Sequence, residues 1–288
     1  MVIDSVLEVR GIILVYTIIV MRNVLEGQQM VTAELTAYLS THRDGYGAAS
    51  PARSHQGAWI FPNVGYFFLA LFVGAFFAFW PPYLSHLPNT DVYAHFHAIV
   101  AVIWCGLLIA QPLLIRTNRA LHRRLGTFSK AVAPLFIVEG ILLAHHRVGI
   151  MSKATFAVRA PSLYLGLAAT VLFAASYLLA LRYSRRQALH ARFMIATGLT
   201  MIDPVVVRLF SFYTPTFSHP LMYQVWGYGL TDFLLLVLLW RPTMRAQDRG
   251  VFLRSALLFP LAHLAWFTIV QGPLWTPFAF WFRSLPLP

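Results

Sequence analysis

The stretch that decides the fold is DVYAHFHAIVAVIWCGLLIAQPLLIRTNRALHRRLG, residues 91–126. Between His97 and Ile115 it carries no Asp, Glu, Lys or Arg. As a helix, about 20 such residues at about 1.5 Å each cross the hydrocarbon core of a bilayer. The run ends in Arg116, Arg119, Arg123 and Arg124, the kind of basic edge that holds a span at a cytoplasmic membrane surface. Histidines stand at both of its ends, His95 and His97 before it and His122 after it.

The rest of the chain repeats this pattern. Of its 288 residues, 58% are hydrophobic and 11% charged, and mean hydropathy is positive, which a water-soluble domain of this size could not present to solvent. Apolar runs at 62–81, 96–115, 131–148, 161–181, 193–211, 221–240 and 253–272 predict an all-α, polytopic transmembrane helical bundle of about seven spans. Because the runs are continuous rather than alternating ten-residue strands, helices and not a barrel are the expected spanning form. Residues 11–21, bracketed by Arg10 and Arg22, are about half as long as a span needs and read as an interfacial helix or a signal-anchor remnant. Residues 40–58 have a linker's composition. The expected division is therefore a peripheral N-terminal segment, 1–58, and a transmembrane bundle, 59–288.

The net charge of +12 does not point to nucleic acid, since the basic residues lie in short groups between apolar runs rather than along one soluble face. The expected partner is the lipid bilayer. Arg116, Arg119, Arg123, Arg124 and Lys130 follow the second run, Arg182, Arg185, Arg186 and Arg192 the fourth, and Arg241, Arg245, Arg249 and Arg254 the sixth. On the positive-inside rule those connections are cytoplasmic, and the core runs N-in to C-out. The connection with Arg147, Lys153 and Arg159 fits this alternation least well. A single cysteine, Cys105, excludes an internal disulfide.

With that topology, His86, His95, His97, His145, His146 and His219 fall at the outer ends of spans or in outer loops. Six imidazoles on one side are the strongest chemical signal in the sequence, because imidazole is the commonest metal ligand. On a helix the rings of His95 and His97 diverge by about 200°, and those of His145 and His146 by about 100°, so one of each pair faces the bundle. One ring from each pair, joined by His86 or His219, suits haem iron, copper or zinc. The alternative is six interfacial rings meeting headgroups and water.

At the inner side, ALHRRLG (120–126) is echoed by ALHARFM (188–194). Each places Ala-Leu-His-x-Arg at the start of a predicted helix, which raises the expectation of duplicated helical hairpins. His122 and His190 are then either helix anchors beside the anionic leaflet or a second ligand pair, which would give a haem protein with a histidine pair at each face. Intramembrane ionisable groups are Glu139, Asp203, Arg208, Asp232 and His263. They read as a proton or substrate pathway, or as buried pairs fixing the packing, with Glu139–His263, Asp232–Arg208 and Asp203–Arg208 as candidate partners. Phosphate loops, nucleophile elbows, His-Glu-x-x-His and Cys-x-x-Cys are all missing from the sequence.

The segment HFHAIVAVIWCGLLIAQPLLIRTNRALHRRLG with the later HARFM resembles a group of bacterial multi-span membrane proteins that share these motifs over roughly residues 62–240. The resemblance implies a helical bundle in a bacterial inner membrane. A looser likeness is to transmembrane cytochromes of the b561 type, whose histidine pairs sit near both faces of the bundle and bind haem b; here His122 and His190 lie at helix starts. Three functional expectations follow. The first is an inner-membrane protein whose outer histidines bind haem b, copper or zinc for electron transfer or complex assembly. The second is a small-solute or proton-coupled transporter, and the third an accessory subunit packed against other subunits of a membrane complex.

Overall fold

The computed structural model describes Phe61 and residues 63–214, 220–240, 244–270 and 272–288. The segment 1–58, His219 and Arg241 lie outside the described residues. All regular structure among the described residues is helical. The helices are α1 (Val64–Phe79), α2 (Val92–Thr117), α3 (Arg119–Gly149), α4 (Lys153–Arg182), α5 (Gln187–Leu199), α6 (Ile202–Tyr213), α7 (Pro220–Trp240), α8 (Ala246–Ala256), α9 (Leu258–Thr268) and α10 (Trp275–Arg283). A 3₁₀ turn, Leu84–Asn89, joins α1 to α2.

Six segments are long and apolar enough to cross a membrane: α2, α3, α4, α5 with α6, Met222–Trp240 of α7, and α8 with α9. The chain is a multi-pass integral membrane protein. The seventh expected span, α1, is apolar but has only 16 residues, a rise of about 24 Å against a hydrocarbon core of about 30 Å. Its helix stops at Phe79, where Pro81 and Pro82 follow and supply no backbone N–H to continue the helical hydrogen bonds. The nine-residue α10 is an addition to the expected spans.

Local chemistry sets the helix ends. Asp91 caps α2 by accepting from Ala94 N at 2.9 Å, and Ser152 caps α4 by accepting from Thr155 N at 3.1 Å. Asn118 alone joins α2 to α3: its N–H reaches the Leu114 carbonyl at 2.7 Å, while its side chain accepts from Leu121 N at 2.9 Å. One residue thus closes one helix and opens the next, satisfying backbone groups that have no partner inside either helix.

Prolines divide two of the spans. Proline removes one helical hydrogen bond and crowds the carbonyl four residues earlier. Pro204 crowds Thr200, and the break between α5 and α6 falls at Thr200–Met201. Pro260 crowds Ala256, the last residue of α8. These interruptions lie in the two spans that carry Asp203 and His263.

The largest core cluster joins α1 through α9. Trp104 on α2 is fully buried against Phe173 and Tyr177 of α4, with ring centroids 4.9 and 5.5 Å apart. α1 packs against α2 and α6, α7 against α5 and α6, and α10 against α3 and α4. Gly198, at the end of α5, faces the Phe68 ring of α1 and Leu108 of α2, whose Cδ1 would lie 2.9 Å from an added Cβ. A Gly198→Ala substitution is expected to destabilise the bundle by about 1–3 kcal/mol through overpacking. Gly106→Ala, which has open space around its Cβ position, is expected to be neutral or stabilising; thermal unfolding in detergent compares the two.

Candidate functional site

The first feature of the site is a buried carboxylate paired with a half-buried imidazole. His97, one and a half turns into α2, points its Nδ1 at Glu139 of α3, 2.7 Å from Oε2 and 3.0 Å from Oε1. The Glu139 side chain is 1% exposed and that of His97 35%, and the His97 ring lies 5.7 Å from that of Phe136. A carboxylate taken into an apolar bundle is costly unless it is paired and hydrogen-bonded. The bond to Glu139 uses Nδ1, and Nε2 of His97 has no protein partner among the described residues.

The other outer histidines are engaged separately. His95 pairs its Nδ1 with the Tyr83 hydroxyl at 2.9 Å. His86, exposed in the 3₁₀ turn, lies 2.8 Å from Ser85 Oγ and 3.1 Å from the Pro81 carbonyl. His145 is buried edge-on to Phe282 at 5.6 Å, with Nε2 unpartnered. His146 stacks on Tyr93 at 4.3 Å and lies 3.8 Å from Asp91 Oδ1. Among the described residues, no three His, Cys, Asp or Glu side chains converge to hold a metal.

A second polar centre joins α6, α7 and α9. Gln224, Tyr228 and Asp232 recur every four residues on α7 and so form one stripe. At one end of the stripe, Gln224 donates through Nε2 to Asp203 Oδ1 of α6. At the other, Asp232 Oδ2 meets His263 Nδ1 of α9 at 3.0 Å. Between them the Tyr228 ring stacks on His263 with centroids 4.0 Å apart. Asp203 sits in the first turn of α6, where the helix dipole favours negative charge, and it abuts Gly227, where any side chain would collide with its carboxylate. Two buried polar atoms here have no partner, Asp232 Oδ1 and Trp266 Nε1. Trp266 follows His263 by three residues on α9, and Tyr164 of α4 donates to the Ala262 carbonyl at 2.8 Å.

The intramembrane pairs thus differ from those the spacing suggested. Glu139 meets His97 rather than His263, and Asp232 meets His263 rather than Arg208. Arg208 donates to the Pro204 carbonyl at 2.9 Å and stands over the Phe79 ring at 4.5 Å. The physical reason is reach, since linear spacing limits pairs within one helix but does not say which face of another helix arrives opposite.

At the other end of the bundle, His122 and His190 are each the fourth residue of their helices. His122 Nδ1 lies 3.2 Å from the Gln111 carbonyl and His190 Nδ1 2.9 Å from the Ala180 carbonyl, each near the end of the preceding helix. Gln111 returns a bond from Nε2 to the His122 carbonyl at 3.2 Å. Of the four residues that sequence reading passed over, Gln111, Tyr83, Gln224 and Tyr228, three carried a signal. Gln111 is a polar residue inside an apolar run, and Gln224, Tyr228 and Asp232 share a helical face.

No protein-family model, curated protein or solved structure matches this chain.

Outside the spans, burial holds the Tyr83 hydroxyl above the ordinary tyrosine range. At Asp91 burial opposes ionisation, but the Ala94 N–H, Arg147 and His146 outweigh it and the carboxyl lies below its usual value. Arg147 is 3.5 Å from Asp91 Oδ2. A depressed folded-state value means that Asp91 stabilises the fold above the unfolded carboxyl range of about 3.9. That contribution is lost as pH falls through the folded value. Asp91→Ala is accordingly expected to lower the melting temperature in detergent at neutral pH, and to narrow the gap from wild type as pH falls below about 4.

Proposed function

We propose that this is an inner-membrane protein that carries protons through its bundle, as a proton-coupled transporter. The single observation that supports this most is the two half-buried imidazole–carboxylate contacts, His97–Glu139 and His263–Asp232, at 2.7 and 3.0 Å. Histidine is the side chain whose ordinary titration range lies nearest neutral pH. Paired with a carboxylate away from bulk water, it is a group that takes up and releases a proton with little rearrangement. Ionisable chains of this kind inside a membrane mark proton relays.

The stripe on α7 supplies further hydrogen-bonding groups, from Asp203 and Gln224 through Tyr228 to Asp232 and His263. Asp203 is packed against Gly227 and Gln224, so the species that reaches it is small, which favours a proton over an organic solute. This reading is preferred to a metal or haem centre built from the outer histidines because, among the described residues, their rings do not converge with other His, Cys, Asp or Glu side chains in a group of three or more. The basic connections after α2, α4 and α7 support a cytoplasmic placement for the end that holds His122 and His190.

The test is proton flux into liposomes that contain the purified protein, read with an enclosed pH-sensitive dye under a potassium-diffusion potential. Glu139→Gln and Asp232→Asn are each expected to slow dissipation by roughly 100-fold, at the low end of what one positioned proton-transfer group supplies. His86→Ala is expected to leave it unchanged. Wild-type liposomes no leakier than empty ones, or variants that conduct like wild type, overturn the reading.

A further inference from the structure

We infer that α10 is a pH-sensitive strap: protonation of His145 releases it from α3 and α4 and uncovers the polar centre of α7 and α9. The release stands on the packing around His145. Its consequence for proton flux rests on the proton-carrying role of His263 and Asp232.

Among the described residues, His145 Nε2 is buried without a hydrogen-bond partner, and the ring stands edge-on to Phe282 of α10 at 5.6 Å. The cluster that holds Phe282 is apolar: Val148 of α3, Phe156, Ala160 and Leu163 of α4, and Ala279 of α10. A neutral imidazole leaves one hydrogen bond unmade in this setting. An imidazolium would be an unpaired charge among apolar groups, a far larger cost. At this end of the three helices the charged or titratable side chains are His146 and Arg147 of α3, Lys153 and Arg159 of α4, and Arg283 of α10, and none of these is an acid. Asp91 of α2 is engaged by His146 and Arg147, and Glu139, deeper on α3, by His97. The C-terminus of α3 would favour a cation, but Arg283 already occupies it, donating from Nη2 to the Gly149 and Met151 carbonyls at 3.3 and 2.6 Å. Gly149 is one turn beyond His145, so a second positive charge there is opposed by the first.

Of the three helices, α10 is the one that can give way. It has nine residues, whereas α3 and α4 have 31 and 30 and are long enough to span. It is fixed by Trp275, which donates from Nε1 to the Ala160 carbonyl at 2.8 Å, by Arg283, and by the burial of Ala279 and Phe282. Its other face exposes Phe280 and Trp281, aromatic groups of the kind that rest at a membrane interface, so a released α10 has a surface to lie on.

The far end of α10 reaches the second polar centre. Trp275, its first residue, stands 5.3 Å from the Tyr164 ring and packs on the buried cluster of Tyr228, Trp266 and Val270. Tyr164 donates to the Ala262 carbonyl at 2.8 Å, and Tyr228 stacks on His263. One end of α10 therefore seals His145 while the other covers the aromatic groups in front of His263 and Asp232. A charge placed on His145 lifts the same helix that closes the centre, so acid opens the path that protons take.

The test places spin labels at Trp281→Cys on α10 and Val158→Cys on α4, both exposed positions, in the full-length protein carrying Cys105→Ala, and reads their separation in detergent by pulsed electron paramagnetic resonance. Between about pH 8 and about pH 5, the range over which histidine changes charge, the protein with His145 intact is expected to gain a second, longer distance population. His145→Leu is expected to keep the single short distance throughout. No new population with His145 intact overturns the strap, as does the same shift in His145→Leu, which would assign it to another group. Should the leucine variant not fold, His145→Gln, also neutral over the whole range, takes its place. Proton flux is then measured in liposomes at equal internal and external pH under a fixed potassium-diffusion potential. His145→Leu is expected to match wild type at about pH 8 and to fall at least roughly 10-fold below it at about pH 5, since a closed strap leaves the open state a minor one. Equal flux at both pH values overturns the strap's control of the path. A strap that moves in a protein that conducts no protons supports the release and overturns the proton-carrying reading instead.

Discussion

Hydrocarbon offers no hydrogen-bond partner, and most of this structure follows from that constraint. Backbone groups must be satisfied within each crossing segment, so the spans are helices. The same rule governs the side chains. Glu139 lies in the bundle interior with both oxygens near His97 Nδ1, and Asp203 is met by Gln224. Even the buried Arg192 sends Nε to the Leu238 carbonyl at 2.9 Å and Nη1 to the Ala188 carbonyl at 3.1 Å. Polar groups inside a membrane are retained where an adjoining helix supplies the missing partner.

The prolines turn this constraint into positioning. Pro204 and Pro260 break the spans that carry Asp203 and His263, so the chain does not run straight at the two places where α6 and α9 face the polar stripe of α7. The first turn of α6 carries Asp203 on a helix N-terminus in the bundle interior, which is also where an anionic side chain is least costly. The acid, its partner on α7 and the helix break therefore form one unit, and Gly227 is the small residue that lets the two helices close around it.

The two ends of the bundle have different chemistry. At the end where α3 turns into α4, histidines are matched to acids and phenols: His97 to Glu139, His146 to Asp91, His95 to Tyr83. At the opposite end they are matched to backbone carbonyls, in a setting of arginines with Asp248 as the acid that meets Arg186 at 2.9 Å. A carboxylate partner sets an anion behind the ring, whereas a carbonyl partner is a neutral acceptor. The same residue type thus stands in two settings that differ in what lies behind its ring.

The run from His97 to Ile115 and its basic edge were enough to read an all-helical, multi-pass bundle, because the length of a span and the lack of charge within it are linear properties of a chain. The same holds for the repeated Ala-Leu-His-x-Arg, which stands at the starts of two helices. That one member of HFH would face the bundle was also legible, from the angle between successive residues on a helix. Which partner it would meet was not. Glu139 is 42 residues from His97 and Asp232 is 31 from His263, and their meeting depends on how the helices rotate and pack, which depends on every apolar contact at once. The tertiary structure alone decided that His86, His95, His97 and His146 have separate partners, that Gln224, Tyr228 and Asp232 form one polar stripe against Asp203 and His263, and that His122 and His190 each turn Nδ1 to a carbonyl of the preceding helix. The reason is physical: an apolar run specifies that a helix is buried in lipid, but only the packed neighbours specify which of its faces meets which.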